Sequence, residues 1–452
     1  MSKFLLTPLT PQPCSAIAAT RRRWGGEPGK NLILIFKSKS MNKHLLLVAL
    51  FLNIWCMSTA QVDFMWGKQI GTEKDEKTRN LNIDTSGNIY LVGKTKGAIG
   101  KENFGKNDAF IIKVDSSANA VWSIQIGSSG DDELSHVAVD ESGNIYAVGF
   151  IGVRESAVNQ DILVVKISNE GEMVWQKQFG TDSTDLGSNI IVDPQGDIYV
   201  CGYTEGVIGH DSKGKSDCFI IHLDSEGNRL GTVQFGSSDK DMALGLTISH
   251  NSDIYVSGST EGDLAAENAG KMDLFWGVFT MDLKQKSMKQ FGTPENDYAG
   301  EIKIDLKNNV YLAGGTYGNA VIQNSGSSDA FLQKWNDKGE IEWMEQFGTS
   351  NWDGIHSICI VGQEGIIISG CYDYPLCKSF VKMYDTKGAL LWDRNIIAQG
   401  KSGGSCGKDI CMDHNGNIYH TGYTGANLFS ELNGEHDLFL VRYQLAIKEL
   451  HR

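Results

Sequence analysis

Residues Asp84–Thr95 read DTSGNIYLVGKT, and close copies return as DESGNIYAVGFI from Asp140, DPQGDIYVCGYT from Asp193 and DHNGNIYHTGYT from Asp413. A catalytic motif is needed once, whereas recurrence at a fixed period marks an architecture built from copies. A second landmark sets the period. Gly71, Gly127, Gly180, Gly236, Gly292 and Gly348 close the segments WGKQIG, WSIQIG, WQKQFG, GTVQFG, SMKQFG and WMEQFG, at spacings of 56, 53, 56, 56 and 56 residues. A seventh, degenerate unit begins at Trp392 (WDRNII), 49 residues after Trp343.

Within each unit the signals are those of strands. An apolar run ends in an acid (LNID to Asp84, VAVD to Asp140, IKID to Asp305), a tight turn follows, and a strand such as NIYLVG comes next. About a dozen polar residues later stands a third strand (DAFIIKVD from Asp108, DCFIIHLD from Asp217, DLFLVRYQ from Asp437), and a second tight turn leads to the Trp-bearing strand. Such runs, rich in Ile, Val, Tyr and Phe and bounded by Gly and Asp, predict four short antiparallel strands per unit, buried on both faces.

Seven consecutive four-stranded sheets of even length predict an all-β fold, a seven-bladed β-propeller. The copies also predict how the ring closes. The first Trp strand, FMWGKQIG (Phe64–Gly71), precedes any partner strand, and the last unit stops after DLFLVRYQ without a Trp strand. The N-terminal strand is therefore expected to complete the last blade and remove two exposed edges. The pattern W-x-x-Q-F-G, D-x-x-G-N-I-Y-x-x-G-x-T and D-A-F-x-x-K-x-D closely resembles the seven-bladed β-propeller (SBBP) repeat family of bacterial exported proteins. That resemblance implies the propeller fold and a setting outside the cytoplasm, and it brings no catalytic residue set.

Ahead of the repeats, MNKHLLLVALFLNIWCMSTAQ from Met41 has a basic start, an apolar stretch and small residues Ser58 and Ala60 before Gln61. It reads as a secretory signal. Segment 1–40 reads as an extension upstream of the true start, 41–60 as the signal, 61–446 as the propeller and 447–452 as a short tail. Arg21, Arg22 and Arg23 are followed by WGGEPGKN rather than by an apolar stretch, which argues against a twin-arginine signal. Cys56 is the alternative lipid anchor, disfavoured because Trp55 stands where a small residue is expected. The protein is thus expected in the periplasm or outside the cell, as a monomer with no transmembrane segment in its mature form.

Of the 41 Lys/Arg and 55 Asp/Glu, eight and one precede Gln61, so the remainder carries a formal charge of −21. Phosphate binding needs a basic surface, which excludes nucleic acid as the expected partner. The Asp-x-x-Gly-Asn turns have a mechanical reading: the acid accepts backbone N–H groups, and Gly87 or Asn308 adopts the left-handed conformation. Calcium is the alternative for these turns, and the distal Glu of a calcium loop is missing. Two further acids recur in the units, Glu76, Asp132, Asp185, Asp241, Asp297 and Asp353 after the marker glycines, and Asp108, Asp161, Asp217, Asp273, Asp329 and Asp437 opening the third strands. Six copies of each read as loop-pinning acceptors rather than catalytic pairs. The repeated Trp66, Trp122, Trp175, Trp343 and Trp392 read as packing between blades.

Function is expected where the copies differ. Long, unlike loops fall on one face of the ring, a design for binding, and they carry Phe104, Tyr317, Trp352, Tyr372, Tyr374 and Phe429 as contact aromatics. Unit 6 diverges most. It has VGQEGIIISG in place of the turn motif, Lys378 in place of the third-strand acid, and the loop GCYDYPLC, whose Cys371 and Cys377 are the expected local disulfide. In unit 7, GKSGGSCG replaces the marker. The expected function is a non-enzymatic binding or scaffold module for a protein or glycan at the cell envelope, without a cofactor. The alternative is a propeller enzyme, quinoprotein-like or a hydrolase or lyase, with a cofactor or metal in the central channel or on the loop face. Read along the chain, no group of His, carboxylates or nucleophile stands apart from the repeat.

Overall fold

The computed structural model describes residues 61–446 apart from 101, 153–159, 210, 364 and 398–402. The readings of 1–40 and 41–60, with the lipid-anchor alternative at Cys56, and of the tail 447–452 lie outside the described residues. Among those residues there are twenty-eight strands, β1 (Val62–Ile70) to β28 (Asp437–Leu445), and no helix. They form seven four-stranded antiparallel sheets. Six sheets are built from consecutive strands, and the seventh has the order β1, β28, then the two strands before it.

The first strands of the blades are β2 (Glu76–Ile83), β6 (Glu133–Val139), β10 (Asp185–Val192), β14 (Asp241–Ile248), β18 (Asp297–Ile304), β22 (Trp352–Val361) and β26 (Ser405–Met412). Each touches the next in that cyclic order, and β26 touches β2. The first strands therefore surround the axis. Closure is as the sequence predicts: β1 pairs antiparallel with β28 from Val62↔Leu445 to Ile70↔Leu438. A closed ring leaves no first or last blade with an open interface.

Where they are present, the repeated residues hold this frame in the same way from copy to copy. Asp84 accepts the backbone N–H groups of Ser86 and Asn88 at 2.9 and 2.8 Å, and the side chains of Asn88 and Tyr90 at 2.7 and 2.9 Å. Its oxygens are thus filled by the turn itself. Glu76 accepts from Thr72 and from Thr95 at 2.7 Å, tying the start of the first strand to the end of the second. Asp217 accepts from the backbone of Lys213 and from the Gln234 amide, each at 2.7 Å, so one acid pins both the loop and the QFG strand. A Cβ on the marker glycine Gly236 would lie 2.5 Å from Asp217 Oδ1, so only glycine lets that buried carboxylate approach. The glycine of IYLVG has a harsher constraint. A Cβ on Gly93 would sit 2.1 Å from the carbonyl oxygen of Lys77, and every blade repeats this contact.

Blades meet through apolar layers such as Val92, Ile111, Val137 and Leu163. The repeated Trp reaches across that interface. Trp122, Trp175 and Trp343 donate their indole N–H to the carbonyls of Asn169, Ser225 and Thr386 in the next blade, at 3.0, 3.2 and 3.1 Å. On the loop face, the end of a second-to-third loop bridges the approach to the next first strand, as at Ser216↔Lys240 and Asp75↔His436. The long loops and the start of every first strand therefore share one face.

Candidate functional site in the axial channel

Counting Glu76, Asp132, Asp185, Asp241, Asp297, Asp353 and Ser405 as position one of their blades, positions three and six are buried in all seven blades, while position four is partly accessible in all seven. The pairing with the second strand slips at this place in every blade. The bulge explains the pattern, because an inserted residue breaks the alternation and turns one side chain out of the packed faces. Position four thus faces the channel. It is occupied by Arg79, Ser135, Ser188, Leu244, Gly300, His356 and Lys408. Small or apolar residues line one side, and three basic residues stand together on the adjoining blades 1, 6 and 7.

Around these three lies a polar cluster in the loop-face half of the channel. Arg79 donates twice to Glu133 at 2.6 and 3.1 Å, and Lys94 joins the same carboxylate at 2.7 Å. Although burial opposes it, the charges of Arg79 and Lys94 hold Glu133 below the usual carboxylate range. Lys408 Nζ lies 3.1 Å from His356 Nε2 and 5.7 Å from the centre of the Tyr423 ring, over which Lys77 also sits at 5.5 Å. Burial, and then the neighbouring Arg79, push the Lys408 ammonium down to about 7. Burial, and then Lys408, keep His356 neutral well below its ordinary range. Among the described residues, no carboxylate lies within ion-pair distance of Lys408.

Position five carries a second cluster. Ser357 Oγ lies 2.7 Å from Glu301 Oε2 and within hydrogen-bond distance of Asp409 Oδ1, and it accepts the Ile410 N–H at 3.3 Å. Asp409 Oδ2 accepts from the Asn80 amide and the Leu81 N–H, each at 2.7 Å. One hydroxyl has one proton, so it cannot donate to two carboxylates. The chain is satisfied when Asp409 is protonated and donates to Ser357, which donates to Glu301. Burial, and then the Glu301 charge, raise Asp409 to about 7, in keeping with this arrangement. Glu301 is also paired with Lys303, whose side chain is 31% exposed although it lies inside the ring. Burial opposes the charge on Glu301, and Lys303 and His136 restore it, leaving its carboxyl below the ordinary range. Burial lowers His136 to about 4. This network fastens blades 1, 5, 6 and 7 together, and its polar atoms are largely consumed in doing so.

The contact aromatics read from the sequence do not converge. Phe104 is 48% exposed on its own loop. Tyr317 packs edge-on against Tyr298, and Tyr372 packs inward on Phe347 and Phe380. Phe429 lies against Phe64 of the closing strand. Only Trp352 and Tyr374 come together, 6.3 Å apart edge to face, on the loop side of blade 6. The expected pairing of Cys371 with Cys377 is corrected: Cys371 pairs with Cys406, with Cα atoms 5.2 Å apart, and Cys377 is a buried free thiol. The physical reason is the blade interface. Cys371 projects from blade 6 onto Cys406 of β26 in blade 7, and Cys377, whose carbonyl accepts the Ser405 N–H at 2.7 Å, packs beside the pair. The reading that nothing stands apart from the repeat is corrected as well. Positions four and five gather unlike residues that lie more than fifty residues apart along the chain, and the visible signal is their variation beside a sixth position that stays aliphatic, from Leu81 to Ile410.

Residues 121–149 and 174–209 match the family described as the SBBP β-propeller repeat. The regulatory protein FlaEY of Caulobacter vibrioides is 22% identical over 202 residues, which is 41% of this chain and 21% of that protein. The chain spans about a fifth of the length of that relative. Among solved structures, a polysaccharide lyase described as a PL25 ulvan lyase superposes with a TM-score of 0.50 at 11% identity, covering 82% of this chain and 95% of that one. The periplasmic gluconolactonase of Pseudomonas aeruginosa gives a TM-score of 0.44 at 11% identity, over 70% of this chain and 84% of that one. At 11% identity the likeness to the lyase shows the fold alone. Seven blades follow one register, and two stretches of the chain, running from the last strand of blade 1 into blade 3, match the SBBP β-propeller repeat.

Proposed function

We propose that the protein is an exported binding propeller that takes an acidic glycan, bearing carboxylate or sulfate groups, into the loop-face mouth of its channel. The observation that carries this reading is a basic mouth in an acidic protein. Lys77, Arg79, Lys94 and Lys408 gather there against Glu133 and Asp75, in a chain of formal charge −14. Among the described residues Lys408 touches His356 and the Tyr423 face and has no carboxylate in ion-pair distance, so an incoming anion would favour the charged ammonium that burial and Arg79 disfavour. Low-dielectric walls around such a group strengthen its attraction for an opposite charge. The signal-like segment ahead of Gln61 supports the extracytoplasmic setting. The long loops of the same face would frame the ligand.

The test is calorimetric titration of the purified protein with polygalacturonate and with heparin at low and physiological salt. Binding that weakens with salt is expected, and the double variant Arg79→Ala, Lys408→Ala weakens it by roughly tenfold per cation, about 1.5 kcal/mol each. Equal binding by that variant would refute the site. An acidic protein bound in place of either glycan would move the reading to a protein partner. Ultraviolet absorbance of an unsaturated uronate appearing during the titration would replace binding by lyase chemistry.

A further inference from the structure

Blades 6 and 7 bring together three side chains that no other blade has at the same places. His356 occupies position four of β22, Cys406 occupies position two of β26, and Cys371 lies opposite Gly354 on the second strand of blade 6. Their counterparts at position four include Ser135 and Leu244, and at position two Leu186 and Met242. One ligand atom from each, the His356 ring nitrogen and the two sulfurs, falls within 4.8 Å of the others. His356 turns Nδ1 toward Cys371 Sγ at 3.8 Å, while its Nε2 faces Lys408 at 3.1 Å. Cys377 packs against Cys371 and Cys406, and Trp352 and Tyr423 cover the group with their rings.

We propose that, in the dithiol form, His356, Cys371 and Cys406 constitute a site for a borderline or soft d10 ion of the zinc class. The chemistry of the donor set points there: two thiolates and one imidazole suit zinc and exclude calcium and magnesium, which demand oxygen ligands. Geometry agrees. Bonds of about 2.3 Å to sulfur and about 2.0 Å to nitrogen in a tetrahedron place neighbouring ligand atoms about 3.5 to 3.8 Å apart, the range in which Nδ1 already faces Cys371. The fourth position falls to Cys377, the adjacent thiol, or to water. Three protein ligands with an open fourth would leave the metal accessible from the channel mouth, and a fourth thiolate would close it as a structural centre. The Cys371–Cys406 disulfide is the metal-free alternative of the same pair, so oxidation state decides occupancy. The inference does not depend on the glycan reading, since none of its ligands is among the cations Lys77, Arg79, Lys94 and Lys408.

The experiment is a cobalt(II) titration of the full protein under a phosphine reductant, followed by competition with zinc(II) against a chromophoric chelator. One equivalent of cobalt is expected to produce thiolate-to-metal charge-transfer absorption and tetrahedral ligand-field bands, and zinc displaces it. Cys371→Ser and Cys406→Ser each abolish the charge-transfer bands of a full site. His356→Ala, which removes a ligand without touching the cysteine pair, weakens zinc by at least the roughly 10- to 100-fold that losing an outer-shell partner costs. Cys201→Ser, in a buried thiol elsewhere, leaves the spectrum unchanged and serves as the folding control. Cys377→Ser sharpens the assignment: a blue-shifted, weaker charge-transfer band means that Cys377 is the fourth ligand, and an unchanged one means that water is. Cobalt spectra without thiolate charge transfer, or zinc affinity equal in the wild type and in His356→Ala, would overturn the proposal.

Discussion

Blade 4 and blade 7 share one fold and line one channel, yet their walls have opposite chemistry. Along the first strand, blade 4 presents Met242, Leu244, Gly245 and Thr247, where blade 7 presents Cys406, Lys408, Asp409 and Cys411. Both strands bulge at the same step and pair with their second strands in the same register. The frame therefore tolerates almost any side chain at these positions, because its hydrogen bonds and glycine contacts are made elsewhere. What most blades keep is the rim; blade 7 has Ser405 in place of the acid, bonded to Thr424 at 3.0 Å. Asp241 opens blade 4 with the same acceptor contacts to Ser237 that Glu76 makes to Thr72 in blade 1. The rim repeats and the wall varies, so the two regions respond differently to change.

The largest effect is expected from the frame. Deleting residues 61–71 removes β1 and leaves β28 as an open edge with its apolar neighbours exposed. A loss above about 4 kcal/mol is expected, in the range reserved for exceptional lesions. An unchanged melting temperature would mean that the ring does not depend on this closure. Next comes a single rim acid. Asp217→Ala strands the Lys213 N–H and the Gln234 amide, two donors in or beside a fully buried position. A cost of about 2 to 3 kcal/mol is expected, measured by denaturant titration, and a change within error would deny the rim its role.

The wall should show its character through pH. Asp409 is raised toward about 7 by burial and by Glu301, so the folded protein binds a proton that the unfolded chain releases at ordinary carboxylate pH. Its contribution to stability is complete below that ordinary range and is lost as pH rises through about 7. Melting temperature is expected to fall from the ordinary carboxylate range up to about pH 7 at this site and to level off above it. Asp409→Asn keeps an amide donor toward Ser357 and flattens that slope; a slope equal in both proteins would remove the shared proton. The smallest effect belongs to Lys408. Removing a cation set beside Arg79 with no carboxylate partner, as in Lys408→Ala, leaves the melting temperature equal or slightly higher. A marked drop would make Lys408 part of the frame rather than of the mouth.

Much of this molecule could be read from the chain because its frame is written seven times. Asp84, Gly87, Gly93, Asp108 and Trp122 each satisfy a local demand, a turn, a close approach, a pinned loop or a reach to the next blade, and such demands leave the same residue in most copies, and in all seven for Gly93. The wall residues are legible only as departures. Lys408 and His356 look like ordinary surface residues in sequence, and the loop aromatics looked the better candidates because exposed rings favour contact. Four of those six rings pack singly, while the group that does converge includes Arg79 and Lys408, at opposite ends of the repeat array.

By itself, the sequence determined the period, the strand order, the seven blades and the closing strand, since each follows from local hydrogen bonding and from counting copies. Only the tertiary structure decided which residues face each other across the axis. Ring closure sets blade 1 beside blade 7, and a bulge one residue long selects which side chain leaves the packed faces for the channel. Packing of blade 6 on blade 7 joined Cys371 to Cys406 rather than to Cys377 within its own loop, and closure placed Asp409 against Asn80, 329 residues away along the chain.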